Sequence, residues 1–565
     1  MNIPTCMKIS PSRFLNLLFL SILPLSVLTM CSNRPEADLL IKNANGYTLQ
    51  GDSLVQFSAM ALRDGKVVVL GETTELLERF PEIETLDLEG KTLLPGLTDA
   101  HGHVMGLGYR AMQVNLEGTR SIQEALDRVK DYSLKNPDVD WILGRGWNQV
   151  LWTENRFPTA QELEAISDGR PIYLTRVDGH AAWVNDKALQ MAGISRETID
   201  PNGGKIIKDR RGNPTGVLID SAMDMVDAVI PTYDVDQARM ALEFALKELR
   251  QLGITSTHDA GVSYDHYQLY REFADQGKLT TRIYGMISGV GDDFDRISSD
   301  GLLKNYLNDF LSVRSVKLYG DGALGSRGAA LIHPYHDEPG NSGLLFYGPD
   351  SLTKLISKAV EKGYQVNVHA IGDAANRVAL DAFTNVQGSI PSSRALRHRI
   401  EHAQVVAPTD FDRFKALQII ASMQPVHATS DMNMAEDRVG GERIRGAYAW
   451  RTFLDKGVIL ASGSDYPVEN ANPFHGLYAA VTRRDTLGNP LDGWYPEQKL
   501  NRLEALRSFT LDAAFAAHQE QVLGSLESGK WADFIVLDQD YFAIPETEIW
   551  KINVLETYIA GKRVH

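Results

Sequence analysis

The chain has 565 residues, of which 73 are Asp or Glu and 57 are Lys or Arg, giving a formal net charge of -16. That balance argues against a nucleic-acid partner, which needs a basic face. With 43% hydrophobic and 23% charged residues, the composition is that of a water-soluble globular protein, long enough for two or more domains or for one barrel with additions.

Lys8 and Arg13 precede the apolar run Phe14 to Met30, which matches the basic and hydrophobic regions of an export signal. Pro24 interrupts the run, and it is barely long enough to cross a bilayer. The stretch LTMCSN then resembles the lipobox of bacterial lipoproteins, with Cys31 as the lipidated first residue of the mature chain and Met30 standing where a small residue is usual. The resemblance implies an exported protein of the bacterial envelope, anchored to the membrane and facing the periplasm or the outside, with residues 1–30 as the signal. Cys6, the other cysteine, would leave with that signal. No free thiol would remain, which excludes thiolate catalysis and cysteine-bound zinc.

From Asp38 to Leu94 the sequence runs in short alternating segments with Asn-Gly and Asp-Gly turns, the pattern of antiparallel hairpins. The C-terminus repeats this style, so residues 31–92 and 520–565 are expected to join in one small β-sandwich. Between them lie eight short apolar strands: LLPGLTDAH, GITSTHDAG, TTRIYGMIS, VRSVKLYGDG, YQVNVHAIG, RHRIEHAQ, IIASMQPVH and VILASGSDY. Helical runs such as DQARMALEFALKELRQLG and SLTKLISKAVEKG separate several of them. This alternation predicts an α/β fold, a (β/α)8 barrel over residues 93–106 and 232–519. An open doubly wound sheet is the alternative, but no glycine-rich dinucleotide turn follows the first strand. Residues 107–231 carry strands and turns of their own and read as an inserted cap over the barrel mouth.

His101 and His103 close the run KTLLPGLTDAHGH at the end of the first barrel strand. Residues i and i+2 share a strand face, so both imidazoles can serve one divalent ion. Further strands carry Lys317, His369, His402 and Asp465 at or near their C-terminal ends. In a barrel these ends converge on the face where active sites lie.

The segments LPGLTDAHGHV, VDGHAAWVN, VKLYGDGALGSRGA, VNVHAIGDAA, RIEHAQ, SMQPVH and SGSDYPV resemble the amidohydrolase superfamily, specifically its YtcJ-like branch, amidohydrolase family 3. The resemblance spans nearly the whole mature chain. It implies a distorted (β/α)8 barrel, a β-sandwich from both termini, and one or two divalent metal ions, with zinc the expected ion. Carried over by position, His101 and His103 would bind the more buried ion, and His369 and His402 the more exposed one. Asp465 would ligate metal and act as base, with His402 also counted in the catalytic set. Lys317 matches the lysine that in many relatives is carboxylated by CO2 to bridge two ions. The competing arrangement is a free Lys317 paired with Asp321 beside one ion.

The implied chemistry is hydrolysis of non-peptide carbon-nitrogen bonds, such as N-substituted amides or formamides, by metal-activated water. An esterase, a cyclic amidase or an inactive barrel used for binding are the alternatives. Trp147, His180, Asp321, Arg327 and His427 are the candidate residues for a small-molecule pocket. A homodimer is left open.

Overall fold

The computed structural model describes residues 37–177, 179–201 and 203–565. Cys31 and the signal lie outside the described residues. Within them, no helix is long and apolar enough to cross a membrane.

Eight parallel strands form the central sheet in the order of the chain: β1 (Leu97–Gly102), β2 (Ile254–Val262), β3 (Arg282–Ser288), β4 (Leu311–Tyr319), β5 (Gln365–Ala370), β6 (Arg399–His402), β7 (Ile420–Met423) and β8 (Leu460–Ser462). A short antiparallel strand, Leu303–Asn305, adds to β4. Every strand expected from the apolar runs is present. The sheet rolls into a nearly closed, distorted (β/α)8 barrel, and the seam between β8 and β1 is irregular. There the Asp465 N–H donates to the His101 carbonyl at 2.7 Å, and the His103 N–H donates to the Tyr466 carbonyl at 2.8 Å. A Cβ on Gly463 would meet the His101 backbone nitrogen at 2.5 Å, so only glycine permits this approach.

The helices between strands turn apolar faces inward. In Val235–Gln251, the residues Ala241, Leu242, Ala245, Leu246 and Leu249 are buried at helical spacing, and Asp234 and Gln237 close a capping box at the N-terminus. Helix Val104–Ala111 packs against it, with Gly108 directly on the Ala241 backbone, so this helix belongs to the barrel wall. The insert's own six-stranded sheet begins at Val114, a few residues after the expected boundary.

The stretch Thr92 to Gly102 serves two structures. Strand Thr92–Pro95 pairs with Asn45–Gln50 and Phe534–Leu537 in a six-stranded sheet built from both chain ends. A four-stranded sheet from residues 39–87 packs against it around Ile41, Met60, Leu62, Leu93, Phe534 and Val536. At Gly96, where a Cβ would lie 2.2 Å from Thr255 Oγ1, the chain crosses from that sheet to β1. Arg282 at the start of β3 makes a buried bidentate pair with Asp533 at 2.6 and 3.0 Å, tying the barrel's N-terminal end to the C-terminal strands.

Candidate metal centre

Asp99, His101 and His103 follow the two-residue period of β1 and its extension. Asp99 is buried and accepts from the His101 N–H at 3.0 Å and from Ser464, whose N–H lies at 3.1 Å and whose Oγ lies at 2.7 Å. Burial pushes its carboxyl up to about 7, despite the donors from Ser464 and His101. These bonds fix the segment after β8 against β1 and set Asp465 beside the two histidines. Asp465 Oδ1 lies 3.1 Å from His103 Nε2 and 3.6 Å from His101 Nε2. Burial works against its charge, but the His103 contact and the nearby His101, His402 and His427 outweigh it and hold the carboxyl well below the usual range.

His101 Nδ1 lies 2.5 Å from Glu401 Oε2, an arrangement in which Nδ1–H donates and the Nε2 lone pair faces the centre. Lys317 Nζ sits 3.0 Å from that Nε2, and burial lowers its amine from the ordinary lysine value. His402 Nδ1 pairs with Gln424 Oε1 at 2.8 Å, which likewise frees Nε2. The His402 ring lies 4.8 Å from His101, 4.5 Å from His369 and 5.9 Å from His427, the last nearly parallel at 15°. His427 Nε2 is 3.7 Å from Asp465 Oδ2. His369 Nε2 is 3.5 Å from Asp321 Oδ1, and burial with the Lys317 charge pushes this imidazole down to about 3. His101 and His402 are likewise driven well below the ordinary value, by burial first. Neutral imidazoles and an ionised carboxylate are the protonation states that ligation requires.

Two sets of donor atoms result: His101, His103 and Asp465, and His402, His427 and Asp465, each with its atoms within 4.8 Å of one another. His369 Nε2, His427 Nε2 and Glu401 Oε1 are buried without a hydrogen-bond partner. Imidazole nitrogens mixed with a carboxylate suit a borderline divalent ion such as zinc, so these residues fit a metal.

The structure brings His101, His103, Lys317, His369, His402, His427 and Asp465 together. His427, expected in the substrate pocket, stands instead among the potential ligands. The other four expected pocket residues are engaged in contacts of their own. Trp147 is fully buried in the insert, its indole N–H donating to the Leu174 carbonyl at 2.7 Å, so it packs the core of the cap and walls no pocket. Asp321 is not paired with Lys317. It is buried and accepts the N–H groups of Ala330, Ile371 and Gly372, which pins the loop after β4 to the end of β5. Arg327 pairs with Asp337 at 2.9 Å and Glu338 at 3.4 Å within that loop. His180 is exposed on the insert, its Nδ1 2.8 Å from Asp220 Oδ1.

Asp99, Glu401 and Gln424 were missed, although each adjoins a motif residue. Strand alternation puts Arg399 and Glu401 on one face and His402 on the other. His402 escapes this rule because its backbone takes φ = +71°, and Asp465 similarly takes +62°. Both are left-handed conformations, costly for a residue with a side chain and characteristic of functional sites.

A family model described as "Amidohydrolase family" matches residues 84–565. Protein LONG AFTER FAR-RED 3 of Arabidopsis thaliana is 35% identical over 545 residues, covering 94% of this chain and 92% of its own. Putative amidohydrolase YtcJ of Bacillus subtilis is 33% identical over 528 residues, covering 92% and 98%. N-substituted formamide deformylase of Arthrobacter pascens is 28% identical over 547 residues, covering 93% and 97%. Among solved structures, an uncharacterized metal-dependent hydrolase from Pyrococcus horikoshii superposes with a TM-score of 0.75 at 29% identity, over 90% of this chain and 99% of that one. With the donor sets at the barrel mouth, these matches establish that the chain belongs to the amidohydrolase family, as a metal-dependent hydrolase.

Proposed function

We propose that the protein hydrolyses the carbon-nitrogen bond of a small non-peptide amide, such as an N-substituted amide or formamide. The observation that carries this reading is Asp465, an ionised carboxylate set between two groups of neutral imidazoles at the barrel's catalytic face. The name of the Arthrobacter relative, a deformylase of N-substituted formamides, supports the bond type.

His101, His103 and Asp465 would hold a divalent ion, with zinc the proposed metal. When bound, such an ion acidifies water and polarises an acyl oxygen. Asp465 takes the proton of the attacking water on a carboxylate oxygen and returns it to the leaving nitrogen, which as a free amide anion would not depart. Glu401 holds the His101 ring in one tautomer, and Gln424 does the same for His402. Lys317 has the buried, lowered amine that carboxylation by CO2 requires, and we propose the carbamate there. We also propose export and anchoring through a lipid on Cys31, supported by the apolar run before it.

The test is hydrolysis of a panel of N-substituted amides, formamides and matched esters by the purified mature chain. Amide turnover that is lost on chelation and restored by zinc is expected. Turnover confined to esters would remove the carbon-nitrogen assignment.

A further inference from the structure

We propose that the segment 320–348, between β4 and the helix Pro349–Glu361, is a preformed platform at the barrel mouth that, with Tyr319, binds a large apolar group of the substrate. The inference rests on the amide-hydrolase reading above and deepens it, because it names the class of substrate the site would select.

The first support is the exposure of the run Leu344, Leu345, Phe346 and Tyr347. These four consecutive large side chains are each between 37 and 63% exposed. A run of this kind is unfavourable on a surface that has no use for it. The same segment buries Leu324, Leu331 and Tyr335 in the barrel core, so the run is left outside a core that its neighbours enter.

The second support is that the segment is held rigidly. Asp321 accepts the N–H groups of Ala330, Ile371 and Gly372. From the helix Ala435–Arg443, Arg438 pairs with Asp337, and Arg443 donates to the carbonyls of His333 and Pro334 at 2.7 and 2.8 Å. Gly343 has φ = +72°, and a Cβ there would lie 1.9 Å from the Ala329 carbonyl oxygen. A surface ordered before binding loses less conformational entropy when a ligand covers it.

The third support is position. Tyr319 ends β4 on the same strand face as Lys317, its ring 5.1 Å from the Lys317 Nζ and 5.5 Å from the His369 ring, and it is 39% exposed. The Phe346 N–H donates to the Gly320 carbonyl at 2.9 Å, which sets the apolar run beside the residue that follows Tyr319. The platform is thus continuous with the metal centre. The stretch GLLFYG carries no charge, and Arg327 is paired with Asp337 and Glu338. A charged substituent would lose hydration here without gaining a partner, whereas an apolar one gains by burial.

The experiment uses the zinc-loaded mature chain and two homologous series of amides. One lengthens the group on nitrogen from methyl to hexyl, and the other lengthens the acyl group in the same steps. In one of them kcat/KM should rise about two- to fourfold per methylene, the upper figure being that of a fully buried CH2; the series that rises tells which side of the bond meets the platform. Phe346→Ser should lower the hexyl-to-methyl ratio about tenfold, and Leu344→Ser should add to the loss. Leu555→Ser, an exposed position on the C-terminal strand Val554–Ile559, should leave the ratio unchanged. Zinc content and thermal melts check that the variants are folded and loaded. Two flat series in the wild type would overturn the inference and leave the hydrolase reading in place, as would a slope that survives in the Phe346→Ser, Leu344→Ser double variant. Self-association on gel filtration that the double variant abolishes, with its slope unchanged, would assign the run to a second copy of the chain and overturn the inference. No turnover of any amide would overturn the reading on which it rests, and the inference with it.

Discussion

His101 Nδ1 and Glu401 Oε2 lie 2.5 Å apart, both side chains fully enclosed, although 300 residues separate them in the chain. The contact fixes which nitrogen of His101 faces the metal centre. Glu401→Ala would leave a buried ring N–H without an acceptor and free the ring to turn. Metal affinity should fall about 10- to 100-fold, while Glu401→Gln, which keeps an acceptor oxygen, should fall less. Zinc titration of the two variants against a chelating dye measures the order, and equal losses would contradict the positioning role.

Asp465→Asn keeps the shape of the side chain but removes its charge and its capacity to take a proton. The turnover number should drop about 10²- to 10⁴-fold, with lower metal content at limiting zinc. Steady-state kinetics at saturating zinc separates the two effects. A turnover number within a few-fold of wild type would show that another group carries the proton.

Acid should destabilise the fold through His398, which precedes β6 at the end away from His402. It is buried against Phe383, accepts the Val366 N–H on Nδ1 at 3.0 Å, and is held down to about 3 by that burial. Unfolded, it titrates at the ordinary histidine value, near 6.5. Between these values the unfolded chain takes a proton that the folded chain refuses, so stability falls as pH drops from about 6.5 toward 3, by up to about 1.4 kcal/mol per pH unit. Above that window the residue is neutral in both states and contributes no pH dependence. His398→Asn can still accept the Val366 N–H and cannot titrate. Urea unfolding at several pH values should show a shallower acid limb for the variant, and an unchanged limb would remove His398 as a cause.

Trp147→Ala should act on the insert and not on the pocket. Truncating a fully buried tryptophan costs about 3–5 kcal/mol, and the indole's bond to Leu174 is lost as well. Limited proteolysis should cut faster within residues 114–220, with zinc content unchanged. A raised KM with wild-type protease resistance would restore Trp147 to the substrate pocket.

The eight barrel strands and the helices between them were legible in the sequence because apolar period and length are local properties. His101 and His103 were legible for the same reason, since they stand two residues apart at the end of β1 and in its extension. The metal-binding character was legible as a set of residue types at strand ends. What the sequence could not show was which atoms meet. Strand alternation hides Glu401 behind His402, and only the left-handed backbone at His402 lets both reach the centre. The tryptophan of GRGWNQ reads equally as core or pocket, and its enclosure by Trp152 and Trp183 decides for core. Asp321 lies two residues past β4, close to Lys317 in sequence, yet three backbone donors from two other segments claim its carboxylate. His427 looked like a pocket residue because it follows the last residue of β7 by four. Its placement against Asp465 depends on the closing seam between β8 and β1, a contact between segments more than 360 residues apart that no local pattern encodes.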